Sequence, residues 1–198
     1  STTRSNTTNR SIGERIMANI VLTGDTSGAI TVAAPAVAGT NTITLPASTS
    51  TLATTADITG PAFLAVSGAN QSVTSGAITK VSINTEQFDT NSNYDTSTYR
   101  FTPTVAGYYQ VSGMVKILGS LTASQVIIYK NGAIVVSGNY FIVGAQAALF
   151  NTVEGLIYMN GSSDYLELFG YVVGTSPVFT YTNIYNTSRF SAFLARAA

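Results

Sequence analysis

The sequence predicts an all-β fold, a sandwich or jelly roll preceded by an extended N-terminal arm with short β-runs. Three observations predict it. Thr, Tyr, Val and Ile, which favour strands, are abundant, and Ser and Thr make up about a quarter of the 198 residues. From residue 61 onward, runs rich in Val, Ile, Tyr and Phe recur at intervals of about ten residues, with turn residues between them. No long segment has the apolar period of a helix.

Composition excludes several classes of chemistry. The chain has no His and no Cys, so it has no Ser-His-Asp or Cys-His relay, no disulfide and no usual zinc or copper ligand set. Charged residues are 9% of the chain, against about 25% in an ordinary domain. Nine basic residues balance nine acidic ones, which argues against nucleic acid and anionic lipid as partners. We expect such an apolar chain to bury surface by self-association.

The arm is predicted to span residues 1–60. Its first sixteen residues carry Arg4, Arg10 and Arg15 against one acid, and the apolar run after them is too short for a secretion signal. No stretch of the chain approaches the roughly 20 apolar residues of a membrane-spanning helix. The three arginines are therefore candidate contacts to an acidic protein surface.

The rest of the arm has strand-like runs but few large side chains. Runs with strand composition occur at residues 19–22, 29–32 and 42–45, separated by Gly and Pro. Because these runs cannot build a core, the arm is expected to lie on another surface, pair with copies of itself or stay mobile.

Residues 61–198 are predicted to form the β-sandwich unit. The strand-like runs are 63–67, 78–83, 99–102, 108–117, 125–130, 133–136, 150–159, 165–173, 178–184 and 190–194. Asn131-Gly132 between two runs is a hairpin signal. The run 108–117 alternates, so Tyr109 and Val111 are expected on one face of the strand, with Tyr108 and Gln110 on the other.

Four motifs in this unit resemble a C1q/TNF-like jelly-roll domain of the kind found in bacteriophage particles. In chain order they are Pro61-Ala62-Phe63-Leu64-Ala65, the stretch from Phe88 to Tyr109 with its Tyr94-Asp95 turn, Tyr129-Lys130-Asn131-Gly132, and Arg189-Phe190-Ser191-Ala192-Phe193-Leu194. One departure is the turn of residues 161–164, which is longer than the Gly-Asp turn of many relatives. Residues 28–47 are similar to a leader found in phage virion proteins.

The resemblance implies a phage virion structural protein that forms a homotrimer. It also implies that the first, third and last jelly-roll strands lie near the threefold axis. The candidate trimer contacts on these strands are Phe63, Tyr109, Phe190 and Phe193.

One loop has a spacing of oxygen ligands that a hard cation could use. Some C1q/TNF-like relatives bind calcium, and Asp89, Asn91, Asn93 and Asp95 alternate as at the start of an EF-hand. The later Gly and bidentate Glu of that motif are absent. We therefore favour a loop whose side chains bond to their own backbone, and we expect no metal and no cofactor.

Two other acids and the aromatic residues have functional alternatives. Asp164 and Glu167 could form a carboxylate pair for acid/base catalysis of glycan hydrolysis. They flank a predicted turn and strand, so a solvated rim is the favoured interpretation and no enzyme activity is expected. The Tyr and Phe side chains could stack on sugar rings, but most are expected in the core or the trimer seam.

The favoured function is that of a homotrimeric capsid decoration or cement protein. The arm would bind the major capsid protein and the jelly roll would project from the virion surface, after synthesis in the bacterial host cytoplasm. The alternative is a tail-fibre or tail-tip module for host adsorption, which would attach to tail proteins and recognise a host surface glycan or protein.

Overall fold

The computed structural model describes residues 20–23, 29–32, 60–181 and 188–198. The chain forms two compact units, Ser1–Thr51 and Leu52–Ala198. Among the described residues, no helix has the length and apolar character needed to cross a membrane.

The first unit contains a hairpin. Strand β1 (Ile20–Thr23) pairs antiparallel with β2 (Ala29–Val32), and both overlap runs predicted from their Ile, Val and Thr content. The third predicted run, at residues 42–45, lies outside the described residues.

Eleven strands form one hydrogen-bonded sheet in the described part of the second unit. Their bounds are β3 (Ala62–Val66), β4 (Gln71–Ser72), β5 (Ile78–Lys80), β6 (Thr85–Asp89), β7 (Tyr94–Asp95), β8 (Arg100–Phe101), β9 (Ala106–Lys130), β10 (Ala133–Ser137), β11 (Phe141–Asn160), β12 (Leu166–Phe179) and β13 (Arg189–Ala197).

The long strand β9 belongs to both layers of the sandwich. Its first half pairs with β13 on one side and β11 on the other, and its second half pairs with β12 and β10. The first layer, as we call it, is the sheet made of β6, β3, β13, the first half of β9 and the second half of β11. The second layer is the second half of β9 with β10, β12 and the short strands that pair with β12. The two predicted runs 108–117 and 125–130 are thus one strand that changes partners.

The core lies between the layers and contains aromatic rings from distant strands. Phe63 stacks on Tyr94 and on Phe101 with ring centroids 4.5 Å apart in each case, and it meets Phe190 edge-on at 5.3 Å. The predicted alternation in β9 is confirmed, because Tyr109 and the odd-numbered residues after it through position 117 are buried. This regular pattern leaves the even-numbered side chains of the same segment on the outer surface of the first layer.

Tight turns join the long strands where the sequence predicts them. Asn131 and Gly132 connect β9 to β10 as a two-residue hairpin loop, with φ of 53° and 80°, so the Asn-Gly prediction is confirmed. After β11, the Asn160 side-chain oxygen accepts backbone N–H bonds from Ser162, Ser163 and Asp164, which closes the longer turn. The first turn places β10 beside β9, and the second leads from β11 into β12.

Candidate interaction surface

The outer surface of the first layer is a grid of side chains set by strand register. In one row, Phe193 of β13 lies opposite Gln110 of β9, and Gln110 lies opposite Leu156 of β11. In the next row along β9, Tyr108 lies opposite Tyr158, and their rings meet edge-on at 5.5 Å. Register therefore gathers side chains from three strands onto one continuous surface, which we call the grid face.

Large apolar side chains on the grid face are exposed. Leu156 is 60% exposed, Phe150 is 55% exposed and Phe193 is 53% exposed. Beside Phe193 the face has a depression of about 350 Å³, whose lining includes Leu64, Phe88 and Arg189. A row of exposed aromatic and aliphatic groups around a depression is typical of a protein–protein interaction surface.

Three of the four predicted trimer contacts do not lie on the grid face. Phe63, Tyr109 and Phe190 are 1%, 0% and 0% exposed, because they form the core of the single chain. A side chain enclosed within its own chain cannot pack against a second copy, so the structure corrects the prediction for these three residues. Phe193 is on the grid face, and its role as a contact stays a prediction.

The alternation of side chains along a strand distinguishes Phe193 from the three buried residues. Phe190 and Phe193 are three positions apart on β13, so they point to opposite faces of the strand. Only one of them can reach an outer surface. The same alternation marks Leu156 and Tyr158 on β11 as outward residues, because Ile157 and Met159 between and beside them are buried.

The oxygens of the Asn/Asp-rich loop accept hydrogen bonds from nearby backbone groups. The carboxylate of Asp89 accepts hydrogen bonds from the backbone N–H groups of Asn91 and Tyr94 at 3.1 and 2.6 Å. The Asn93 side-chain oxygen accepts from the Thr104 backbone N–H at 3.2 Å. These bonds favour a turn-stabilising role for both residues.

Asp95 has the same role at the end of the loop. Its carboxylate accepts bonds from the backbone and hydroxyl of Ser97 and from the hydroxyl of Thr98, at 2.6 to 2.8 Å. The Ser97 hydroxyl, followed by Thr98, lowers the pKa of Asp95. In the described ranges, no three His, Cys, Asp or Glu side chains are grouped so as to hold a metal ion.

Glu167 is buried and shared between two cations. Its Oε1 accepts a hydrogen bond from Lys80 Nζ at 2.5 Å and one from Arg100 Nε at 2.8 Å, and its side chain is 4% exposed. Burial works against ionisation, but the bonds from Lys80 and Arg100 outweigh it and lower the pKa of Glu167. The carboxylate is therefore an ionised structural group.

Asp164 is held in a similar way. It lies 2.8 Å from Lys130 Nζ, and it accepts a bond from the Asn131 side-chain amide at 2.7 Å. The hydrogen bond from Lys130 is the main reason that the pKa of Asp164 is lowered. The expectation of a solvated rim is wrong for both acids, and neither has a free carboxylate of raised pKa for acid catalysis.

The outer surface of the second layer carries an aromatic strip. Tyr129 and Phe169 are in contact, with ring centroids 4.1 Å apart, and the Tyr140 and Tyr171 rings are 6.1 Å apart. The Arg100 guanidinium lies 4.1 Å from the centroid of Tyr165. These rings are only partly buried in the chain, except for Tyr140, which is exposed.

The candidate capsid contacts Arg4, Arg10 and Arg15 lie outside the described residues. Their role stays a prediction.

Comparison with known proteins finds similarity in structure alone. No family sequence model matches the chain, and no curated protein sequence matches it. The globular domain of zebrafish complement 1qA protein superposes with a TM-score of 0.52 at 14% identity, covering 71% of this chain and 100% of that domain. Murine APRIL at pH 5.0 gives 0.52 at 9% identity, covering 68% of this chain and 98% of that one. Eiger TNF from S. frugiperda gives 0.50 at 11%, covering 70% and 93%.

These likenesses cover almost the whole length of each neighbour. The β-sandwich described here therefore has the C1q/TNF-like jelly-roll fold.

Proposed function

We propose that this chain is a non-enzymatic structural protein that works as a homotrimer. The observation that carries the proposal is the grid face, where Phe150, Leu156 and Phe193 are more than half exposed in the single chain. Because slightly more than half of each side chain remains to be buried, burying it stabilises by about 1–2 kcal/mol. Self-association through this face also explains how a chain with 9% charged residues and a mean hydropathy of +0.25 remains in solution.

The proposed role of the trimer is capsid decoration on a bacteriophage particle. The jelly roll would form a knob on the virion surface, and residues 1–60 would bind the major capsid protein, after synthesis in the host cytoplasm. What supports this is the uneven charge of the segment, with Arg4, Arg10 and Arg15 against Glu14 in the first sixteen residues. An acidic capsid surface would attract such a segment.

Deletion of residues 1–20 tests the attachment. We expect the shortened chain to stay trimeric and to be lost from particles, measured by adding it to particles that lack the protein and pelleting them. The matched variant keeps full length and changes Arg4, Arg10 and Arg15 to Gln. Loss of binding in both variants supports a charge contact, and undiminished binding of the deletion would contradict attachment through this segment.

A second candidate function is host adsorption from a tail fibre or tail tip. The aromatic strip on the second layer favours it, because partly exposed rings such as Tyr129, Phe169 and Tyr171 can stack on sugar rings or on a protein ligand. Immunogold labelling of intact particles separates the two functions. Label over the whole head supports decoration, and label confined to the tail supports adsorption.

A further inference from the structure

The grid face carries opposite charges on its two edges. Glu154 of β11 lies opposite Ser112 of β9, and Arg189 of β13 lies opposite Met114 of β9. The two charged residues are therefore separated by two strand spacings and by two residues along β9, or about 12 Å in all. This is too far for a direct ion pair, and neither residue has a salt bridge within the part of the chain that the structure describes.

The other charges around this face leave Glu154 without a cation beside it. Lys116 Nζ lies 5.4 Å from the centroid of the Phe150 ring, where it makes a cation–π contact. Arg196 lies opposite Tyr108, at the far end of the face from Arg189. Glu154 is the one acid among the described outward residues of β9, β11 and β13.

A closed ring of identical chains needs two different patches that meet. Cyclic assemblies beyond the dimer use such a heterologous contact, in which one edge of each copy packs on the opposite edge of the next. On the grid face, one edge offers exposed Phe150 and Leu156 on β11. The other edge offers the depression beside Phe193. Glu154 is on the first edge and Arg189 lines the second, so the two edges carry opposite charges.

We propose that Glu154 of each copy forms an ion pair with Arg189 of the partner subunit, at a contact where β11 of one copy packs against β3 and β13 of the next. This inference rests on the proposed self-association. Apolar contacts are not directional, whereas a charge pair penalises registers that bring like charges together. The pair thus sets the register in which the copies assemble.

A charge swap tests the pairing on the full 198-residue chain. Glu154→Arg and Arg189→Glu each bring like charges together at the contact, and the double variant restores opposite charges in reversed order. We expect each single variant to weaken association at least about tenfold, measured by sedimentation equilibrium across a concentration series. The double variant should recover to within about threefold of the unchanged chain.

Matched controls separate this effect from general changes in charge. Thr175 is exposed on β12, away from the grid face, so Thr175→Arg and Thr175→Glu introduce the same charges without touching the contact. Both are expected to associate like the unchanged chain. Where a reversed charge prevents folding, judged by circular dichroism, Glu154→Gln and Arg189→Gln take its place and should each weaken association.

The outcomes distinguish the pairing from self-association itself. If the unchanged chain is monomeric at every concentration, the proposed function fails and the pairing fails with it. If the unchanged chain associates but the single variants do not weaken it, or the double variant recovers nothing, the pairing is overturned and self-association stands. Weakened association in both single variants, together with recovery in the double variant, supports the pair.

Discussion

Phe193 and Leu156 lie on either side of Gln110 in one row across the first layer, and both side chains point away from the core. They come from strands β13 and β11, which are separated in the chain by the whole of β12. Their common surface exists only because both strands pair with the first half of β9. An apolar surface assembled from three strands is a feature of the fold rather than of any one segment.

Replacing either residue should weaken self-association. Phe193→Ser and Leu156→Ser each remove an apolar side chain that the proposed assembly would bury. Because each side chain is already partly buried in the single chain, we expect a loss of about 1–2 kcal/mol per contact, or roughly five- to thirtyfold in the dissociation constant. The measurement is analytical ultracentrifugation at several concentrations.

Ile142→Ser is the matched control for that experiment. Ile142 is 78% exposed but pairs with Ala123 at the other end of β11, away from the grid face. Its replacement should leave the mass distribution unchanged. Equal weakening by all three variants would mean that general surface hydrophobicity, and not this surface, drives the association.

Neutralising Glu167 should destabilise the chain. Glu167→Gln leaves Lys80 and Arg100 without their shared carboxylate, and breaking a fully buried ion pair costs about 3–5 kcal/mol. Because the side chains of Lys80 and Arg100 are 31% and 40% exposed, we expect a smaller loss of about 2 kcal/mol. Urea unfolding at pH 7 and fixed chain concentration measures it. Unchanged stability would mean that the ion cluster contributes nothing net.

The ionisation of Glu167 should also make stability depend on pH in the acid range. The pKa of Glu167 in the folded chain lies below its ordinary value of 4.5, so its stabilising contribution is fully present above that value. The contribution is lost as the pH falls through the folded pKa. The free energy of unfolding should therefore decline below about pH 4.5, and it should decline less steeply in Glu167→Gln. Parallel curves for the two chains would contradict the assignment.

Alkaline stability should depend on Tyr109. Burial raises the pKa of this phenol from 10.0 to about 12, and its hydroxyl donates a 2.8 Å hydrogen bond to the Val105 carbonyl. Because ionisation is easier in the unfolded chain, the stabilising contribution is full below pH 10 and falls as the pH rises towards 12.

Absorbance titration and unfolding at alkaline pH measure this effect. Tyr109→Phe should remove one late-titrating phenol and flatten the alkaline decline, while losing about 1 kcal/mol at neutral pH with the hydrogen bond. Tyr140→Phe is the control, since Tyr140 is exposed and lies outside the grid face. The same alkaline curve for both variants would contradict the account.

Two turn glycines should differ in their tolerance of alanine. Gly132 and Gly161 both have positive φ, at 80° and 71°. A Cβ on Gly132 would meet nothing closer than 3.8 Å, whereas one on Gly161 would lie 2.3 Å from the Ala106 backbone nitrogen. We expect Gly132→Ala to cost about 1 kcal/mol and Gly161→Ala at least about 2 kcal/mol more, by urea unfolding. Equal losses would show that close packing at Gly161 relaxes freely.

Local sequence patterns predict the strands with regular alternation and the hairpin. β3, β10 and the first half of β9 follow from their Val, Phe and Tyr content, and Asn131-Gly132 marks the turn between β9 and β10. The first half of β11, at residues 141–149, is not predicted because its Gly and Ala residues have little strand propensity. Pairing with β9 makes it extended, which is a tertiary effect.

The charged sites depend on contacts that sequence spacing does not reveal. Glu167 is 87 residues from Lys80 and 67 from Arg100, and only the sheet brings the three together. The outward position of Phe193 does follow from the sequence. Phe193 is three positions from the buried Phe190, and residues an odd number apart on a strand face opposite sides. The partner proposed for the grid face lies outside the single chain. It can be inferred only from the apolar side chains that the chain leaves exposed.

The mass of the full chain in solution tests the central claim most directly. Sedimentation equilibrium should give three times the 20.7 kDa chain mass, with Phe193→Ser shifting the distribution towards the single chain. A mass of one chain at every concentration, or a trimer that Phe193→Ser and Leu156→Ser both leave intact, would contradict assembly through the grid face.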